Sequence, residues 1–362
     1  MKKIDIKDLQ GNAVSMFDDK WCLITAGTKE SYNTMTASWG AMGELWNKDV
    51  CFIFIRPQRY TLEFTEREDY FMDTRWLYVT SEELPKLREE SKGVCVIPMG
   101  CVEKHGLHLP LGTDILHSSA IAYEASKLET FTVFPDFIFG DVPENYPNMP
   151  AGSITLPVET QMLLLEQLCE QIARHGYKKI VIFNGHGGNN PWLTTFLRKV
   201  ENKPHDYVVA KVMLQLQAPH MMAEAIEEKG AEIVPEMNED DIKLIQKYHE
   251  EKMQIGHGGM GETSYIMGLY PETVHLDRLG IESGLSTHAA DKFREHGISI
   301  RDGGWFVDSP YAYSGHDPIG CNERIGKAAV RLEAERLATA IKFIKEDEDL
   351  IKWHNANWNT NI

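Results

Sequence analysis

Two carboxylates and two imidazoles occur within twelve residues of this chain, between Glu103 and Asp114. The segment reads EKHGLHLPLGTD, and its two glycines and its proline disfavour both a regular helix and a regular strand. Carboxylate and imidazole together suit Zn²⁺, Mn²⁺ or Fe²⁺ better than an ion that binds only oxygen. Glu103, His105, His108 and Asp114 are therefore the first candidates for ligands of a divalent metal ion.

An apolar run at residues 94–98 precedes this segment and is typical of a buried strand. In open α/β sheets, functional groups gather on the loops that follow the carboxyl ends of the strands. The segment from Glu103 to Asp114 occupies such a position. Its composition and its place in the chain both favour a functional loop.

A second loop of this kind, residues 184–189, reads NGHGGN and lies between a predicted strand at 179–183 and a predicted helix at 191–200. Its glycines allow a tight turn and a close approach to a ligand, and His186 would project at the carboxyl end of the strand. The alternative is a glycine-rich turn whose histidine only bonds to the backbone.

A third loop, residues 256–264, reads GHGGMGETS and contains His257 and Glu262. An acid in the first turn of a helix ordinarily interacts with the helix dipole, so Glu262 has a structural interpretation as well. If the three loops converge at one edge of a sheet, they supply five ligands: Glu103, His105, Asp114, His186 and Glu262.

Composition excludes several classes of protein. The hydrophobic fraction of 43% and the charged fraction of 25% are those of an ordinary globular protein. A formal charge of −17 argues against nucleic acid or an anionic membrane as a partner. The chain lacks an apolar run of about 18 residues and a signal-peptide pattern, and its six cysteines form no CxxC pair. We therefore expect a cytoplasmic protein with reduced thiols.

The texture of the sequence changes near residue 72. Residues 1–71 hold short β-prone runs, whereas strands and helices alternate from residue 93 onward. This alternation predicts an α/β fold with a mainly parallel sheet covered by helices on both faces. The main predicted helices lie at 114–127, 158–175, 191–200, 218–229, 239–252 and 323–345, and the predicted strands or extended segments lie at 94–98, 132–139, 179–183 and 207–213.

The later part of the chain resembles the creatininase (creatinine amidohydrolase) family over roughly residues 77–345. The matching segments are PMG at 98–100, EKHG at 103–106, HLP at 108–110, GTD at 112–114, NGH at 184–186, HGG at 257–259 and ETS at 262–264. The resemblance implies a three-layer α/β/α domain with two divalent metal ions, and commonly a homo-oligomer, often a hexamer. Glu103, His105, Asp114 and His186 match metal ligands, with Asp114 bridging the ions, and His257 matches a histidine proposed for proton transfer.

Three departures from the family pattern bear on the substrate. Creatinine hydrolases of the family carry an acidic ligand two residues after the histidine of the NGH motif, where this chain has Gly188, and we assign the missing ligand to Glu262. Gly256 likewise replaces the acid before His257, and segment 145–153 lacks the usual family pattern. These differences favour a cyclic polyol diketone of inositol breakdown, of the 3-dehydro-scyllo-inosose type, over creatinine or another cyclic amide, which remain the alternative.

The chemistry of such a site supports hydrolysis. Two divalent ions bridged by a carboxylate lower the pKa of a bound water toward about 7 and polarise a substrate carbonyl. A histidine such as His257, whose ordinary pKa is near neutrality, can then pass a proton to the leaving group.

The segments at 33–40 and 56–61 resemble the flavin reductase family, whose split barrel binds FMN. Only about 65 residues match, so we predict a partial flavin reductase-like β segment at 1–71 and a creatininase-like domain at 72–362. A remnant that does not bind FMN is favoured over a flavin-dependent reductase, which stays open as an alternative of another class.

Overall fold

The computed structural model describes residues 22–27, 32–38, 40–45, 48–56, 58, 59, 61, 73–142, 150–300 and 305–359. The chain divides into two compact units, Met1–Met72 and Asp73–Ile362. The predicted domain boundary falls one residue before this division, and the functions assigned to the two parts stay predictions. Positions 39, 57 and 60 of the flavin reductase-like segments, and 145–149 of the segment 145–153, lie outside the described residues.

The first unit contains two antiparallel strand pairs. Strand β1 (Cys22–Gly27) pairs with β2 (Tyr32–Ala37), and β3 (Gly40–Leu45) pairs with β4 (Lys48–Ile53). The β-rich character predicted for this part of the chain is confirmed. Its resemblance to flavin reductases stays a prediction.

The second unit is built on a four-stranded parallel sheet with the order β6-β5-β7-β8. Its strands are β5 (Val94–Met99), β6 (Thr132–Val133), β7 (Lys179–Asn184) and β8 (Val208–Met213). Strand β6 is shorter than the extended segment predicted at 132–139, since Pro135 has no N–H for a strand ladder. The chain rejoins the sheet only at an isolated bridge between Phe137 and Met99.

Ten helices are described. They are α1 (Leu84–Glu90), α2 (Thr113–Leu128), α3 (Val158–Arg174), α4 (Asn190–Glu201), α5 (Ala218–Lys229), α6 (Glu239–Glu250), α7 (Met260–Leu269), α8 (Asp291–Arg294), α9 (Glu323–Glu346) and α10 (Asp349–Trp358). Across the part of the chain that the structure describes, none is long and apolar enough to cross a membrane.

Two side chains support the turn that precedes α1. The Thr80 N–H donates to Glu83 Oε2 at 2.7 Å, and the Glu83 N–H donates to Thr80 Oγ1 at 3.3 Å. This reciprocal pair has the spacing of a capping box.

The sheet is buried on both faces, as its apolar strands predict. Successive β5 side chains point to opposite faces: Val94 and Val96 join one apolar cluster, while Cys95 and Ile97 join the other. The first cluster includes side chains from α2, α5, α6, α7 and α9, and the second includes side chains from α3 and α4. The predicted α/β fold, with a parallel sheet between helical layers, is confirmed.

Candidate metal centre

The loops that carry the predicted ligands meet at one edge of the sheet. Strands β5 and β7 are neighbours and end in register at Met99 and Asn184. Just beyond these ends, the Gly185 N–H donates to the Met99 carbonyl at 2.8 Å. The loop with Glu103 therefore starts beside the loop with His186, as the position of both after parallel strands implies.

The first turns of two helices supply further carboxylates. Asp114 lies in the first turn of α2 and Glu262 in the first turn of α7, where the helix dipole favours negative charge. Glu262 Oε2 accepts a hydrogen bond from the Gly258 N–H at 2.6 Å and also lies 3.5 Å from His105 Nε2. Glu262 thus has both the structural contact expected of an early helical acid and a position at the site.

Asp114 is at the centre of the cluster. Its Oδ1 lies 3.2 Å from His105 Nε2, and its Oδ2 lies 2.7 Å from His186 Nδ1. Glu103 Oε1 approaches the same His186 Nδ1 to 3.0 Å. One carboxylate therefore contacts imidazoles from two different loops.

The side chains form overlapping groups, in each of which the ligand atoms lie within 4.8 Å of one another. Two of these groups share Asp114, which is the arrangement that a bridging carboxylate requires. One consists of Cys101, Glu103, Asp114 and His186, and the other of His105, Asp114 and Glu262. A third group, Glu103, His105 and His257, overlaps with both.

Hydrogen bonds fix which nitrogen of each imidazole faces the centre. His105 Nδ1 donates to the Glu103 carbonyl at 3.2 Å, and His186 Nε2 donates to the Asp141 carbonyl at 2.8 Å. The opposite nitrogen of each ring, His105 Nε2 and His186 Nδ1, is then free to bind an ion through its lone pair. Such outer hydrogen bonds typically orient histidine ligands in metal sites.

Burial and charge shift the pKa values of these groups. Burial lowers the pKa of His105, but Asp114 and Glu262 outweigh it and raise that pKa to about 10. Burial likewise opposes ionisation of Asp114, yet His105 and His186 hold its pKa well below the usual value. Burial raises the pKa of Glu262. Three carboxylates in one buried place therefore depend on positive charge between them.

The donor set fits divalent metal ions. The Glu103 side chain is only 3% exposed, so water has little access to it. Its Oε1 atom nevertheless accepts no hydrogen bond from the described residues. A buried carboxylate oxygen left in this way calls for a cation. Imidazole nitrogens and carboxylate oxygens in this mixture match the preferences of zinc, manganese and iron.

His257 lies at the more open side of the cluster. Its ring stacks on His105 with centroids 3.8 Å apart, and its side chain is 16% exposed, against 0% for His105. His257 Nε2 donates to the Lys104 carbonyl at 2.7 Å, which leaves Nδ1 facing Glu103 Oε1 at 3.6 Å. The ring of Trp305 packs edge-on against it at 4.9 Å.

Packing explains both glycines that depart from the family pattern. A Cβ at Gly188 would overlap His186 Nε2 and lie 2.6 Å from the Asp141 carbonyl oxygen. A Cβ at Gly256 would overlap the Ser314 carbonyl oxygen. Neither position accepts an acidic side chain without a shift of this backbone.

Two other histidines lie close by. His108, one of the first candidates for a ligand, donates from Nε2 to the Gly258 carbonyl at 2.8 Å and thus supports the residue that bonds to Glu262. Burial lowers its pKa to about 4. His117 is fully buried and lies 4.0 Å from Asp114 Oδ1.

Sequence reasoning missed Cys101, which it grouped with the core thiols. Its Sγ donates to Asp114 Oδ2 at 3.0 Å. The available signal was its position, two residues before Glu103 and directly after β5. His316, considered as a substrate contact, bonds through Nδ1 with the Gln254 N–H at 3.1 Å.

The fold and the cluster together define an α/β protein with a carboxylate–imidazole centre at the carboxyl edge of a parallel sheet. The sequence model of the creatininase family, described as creatinine amidohydrolase, matches residues 78–341. The chain belongs to the creatininase family, whose members are metal-dependent hydrolases.

Three curated relatives show the range of activities in similar proteins. A creatinine amidohydrolase of Pseudomonas putida is 25% identical over 193 residues, covering 51% of this chain and 68% of the relative. A mycofactocin precursor peptide peptidase of Mycobacterium tuberculosis is 33% identical over 125 residues, covering 32% and 47%. A 3-dehydro-scyllo-inosose hydrolase of Thermotoga maritima is 23% identical over 211 residues, covering 56% and 58%.

A solved structure supports the fold. A mutant creatininase described as the Zn-Zn type superposes with a TM-score of 0.57 at 19% identity, covering 76% of this chain and 99% of the other. At that identity the similarity establishes the shared fold alone.

Proposed function

We propose that this protein is a binuclear metal-dependent hydrolase that opens the ring of a small cyclic substrate. The observation that carries the proposal is the pair of ligand groups that share Asp114. In this assignment, Glu103 and His186 would hold one ion, His105 and Glu262 would hold the other, and Asp114 would be shared by both. Two divalent ions held there would supply an activated water and a polarised substrate carbonyl.

His257 is assigned to proton transfer. Its Nε2 is committed to the Lys104 carbonyl at 2.7 Å, so Nδ1 is the atom that takes up and releases a proton. The stack on His105 fixes the plane of the ring, and the greater exposure of His257 supports a role in contact with the substrate. His257 is therefore the general acid that protonates the leaving atom.

The burial of the three carboxylates restricts which substrates the site can accept. Glu103, Asp114 and Glu262 are 5% exposed or less, so bulk water has little access to them. A buried site whose charges balance favours substrates that are neutral or that approach the ions through an oxygen. The rings of His257 and Trp305, which contact each other, form the adjoining surface.

We propose a cyclic polyol diketone as the substrate. Water adds to one carbonyl as its proton passes to His257, the bond to the carbon between the two carbonyls breaks, and the resulting enolate takes that proton back from His257. The absence of side chains at Gly188 and Gly256, which packing enforces, favours this substrate over creatinine. The similarity to the inosose hydrolase of Thermotoga maritima is compatible with it.

The experiment combines metal analysis with two substrates. We expect purified protein to contain one to two transition ions per chain and to hydrolyse 3-dehydro-scyllo-inosose faster than creatinine. Full activity in metal-free protein would refute the metal mechanism. Faster hydrolysis of creatinine would leave the mechanism intact and overturn the substrate. A flavin absorbance band near 450 nm in the purified protein would favour the flavin reductase alternative.

His257→Asn tests the role of proton transfer. We expect kcat to fall by about 100-fold or more while the metal content stays unchanged, because a positioned acid contributes roughly that much. His288→Asn is the matched control, since the His288 side chain is 74% exposed and its φ of 58° is one that asparagine tolerates. Equal loss of activity in both variants would contradict the assignment.

We also propose that the protein is a homo-oligomer, as the family resemblance implies, and that it is located in the cytoplasm, as its composition predicts. Light scattering of the purified protein measures the first directly.

A further inference from the structure

Cys101 lies in the same buried cluster, yet the hydrolytic mechanism gives it no role. Its side chain is fully buried, two residues beyond the end of β5. Its Sγ lies within 4.8 Å of the ligand atoms of Glu103, Asp114 and His186. A sulfur atom is therefore present at one half of the centre and absent from the group formed by His105, Asp114 and Glu262.

A hydrogen bond from the thiol to Asp114 would by itself explain a buried cysteine. A second observation indicates that an ion binds beside the thiol. Glu103 Oε1, in the same group, is buried and accepts no hydrogen bond from the residues that the structure describes. The space bounded by Cys101, Glu103 and His186 is thus lined by a buried carboxylate oxygen that accepts no hydrogen bond and lies 3.0 Å from His186 Nδ1, as expected where an ion binds between them.

The other described buried cysteines have different surroundings. Cys95 and Cys169 belong to the apolar cluster on one face of the sheet. Cys321 lies 3.7 Å from Ser264 Oγ. Among the described cysteines, Cys101 alone joins a group of metal-binding side chains. Its location is specific, and the general preference of thiols for the core does not account for it.

We propose that the Cys101 thiolate is a ligand of the ion held by Glu103, Asp114 and His186. This inference rests on the metal centre of the proposed function. A sulfur ligand would make the two ion sites chemically unequal, because a thiolate favours softer ions such as zinc. The site of His105, Asp114 and Glu262 offers only nitrogen and oxygen ligands, which also suit manganese.

Cobalt provides a direct test. Protein stripped of metal and loaded with Co²⁺ should show a thiolate-to-cobalt charge-transfer band in the near ultraviolet, in addition to the visible bands of bound cobalt. Cys101→Ser should lose this band and keep the visible bands. Cys169→Ala is the matched control, since it removes a thiol that is equally buried in the apolar cluster.

The outcomes separate this inference from the proposed function. Bound cobalt without a charge-transfer band in the wild-type protein overturns thiolate ligation and leaves the metal centre standing. Failure to bind any cobalt, zinc or manganese overturns both. Loss of the band in Cys169→Ala as well would assign the signal to a change in folding and contradict the inference.

Two further measurements do not depend on cobalt. X-ray absorption of the wild-type zinc protein should show a sulfur neighbour at about 2.3 Å, and its absence refutes the ligation. In competition between zinc and manganese, Cys101→Ser should lose about 10-fold or more of the preference for zinc. Loss of a hydrogen bond to a ligand already costs about 10-fold in metal affinity, and loss of a direct ligand should cost at least as much. An unchanged preference contradicts a sulfur ligand.

Discussion

The hydrogen bond between His186 and Asp141 is expected to control metal affinity, and Gly188 allows a test of it. A Cβ at position 188 would overlap His186 Nε2 and lie 2.6 Å from the Asp141 carbonyl oxygen. Gly188→Ala therefore breaks or lengthens a bond of 2.8 Å that fixes the ring with Nδ1 toward Asp114. The substitution changes no predicted ligand.

The expected magnitude follows from the role of such outer contacts. Loss of a hydrogen bond that orients a metal-binding histidine typically costs 10- to 100-fold in affinity, or about 1.4–2.8 kcal/mol. Gly187→Ala is a matched control, because a Cβ at Gly187 meets nothing within 4 Å. Both variants change glycine to alanine in the same turn, so they share any effect on backbone entropy.

The assay is zinc affinity, measured by competition with a chelator for the wild-type protein and both variants. We expect Gly188→Ala to bind zinc about 10- to 100-fold more weakly and Gly187→Ala to match the wild type. Equal affinity in all three proteins would refute the reasoning, since His186 would then not depend on the Asp141 carbonyl.

Two further predictions concern stability. Burial lowers the pKa of His108 to about 4, so the unfolded chain binds more protons between pH 6.5 and 4. The free energy of unfolding should therefore decrease across this window as pH falls, by up to about 3 kcal/mol, and urea titrations of His108→Gln should show a smaller decrease. Glu333 is fully buried and accepts hydrogen bonds from Arg336 and from the Gln215 N–H. Glu333→Ala should cost about 3 kcal/mol in the same assay, and a cost below about 1 kcal/mol would show that solvent replaces the pair.

The fold could be predicted where local patterns decide structure. Helix α5 spans Ala218–Lys229, as predicted, and α3 ends at Arg174, one residue before the prediction. Gly176 has a φ of 89°, the left-handed conformation expected of a glycine just past a helix. The apolar strands β5 and β7 also matched, because continuous burial leaves little ambiguity in a short strand.

Other elements depend on contacts that the local sequence does not encode. Strand β6 is limited to Thr132–Val133, since pairing with β5 stops where Pro135 interrupts the backbone. Helix α10 (Asp349–Trp358) was not predicted. It begins after only two residues that follow α9, and this break has no strong signal such as proline or glycine.

The candidate site could be predicted from the sequence because its ligands lie on recognisable loops. Each of the predicted ligands follows a strand or starts a helix, and parallel strands bring those ends together without further information. Which atoms face one another could not be inferred. Asp141 contributes only its backbone carbonyl to His186, so no side chain marks it. The contacts of Cys101 and His117 with Asp114 could not be predicted, because they depend on the exact packing of α2 against the loop.

The charged side chains of the cluster largely balance one another before ions bind. His105 and His186 have raised pKa values, and Glu103 and Asp114 have lowered ones, so two imidazolium groups balance two carboxylates. Glu262 is the carboxyl left over, and burial with the nearby Asp114 charge raises its pKa.

Bound ions would take over the balancing of charge from the two imidazolium groups, so metal binding should release the protons held by this cluster. The location of Glu262 in the first turn of α7 is compatible with the assignment of the missing ligand to it. A side chain at Gly188 would disrupt His186, whereas a helix N-terminus favours the carboxylate that we propose in its place.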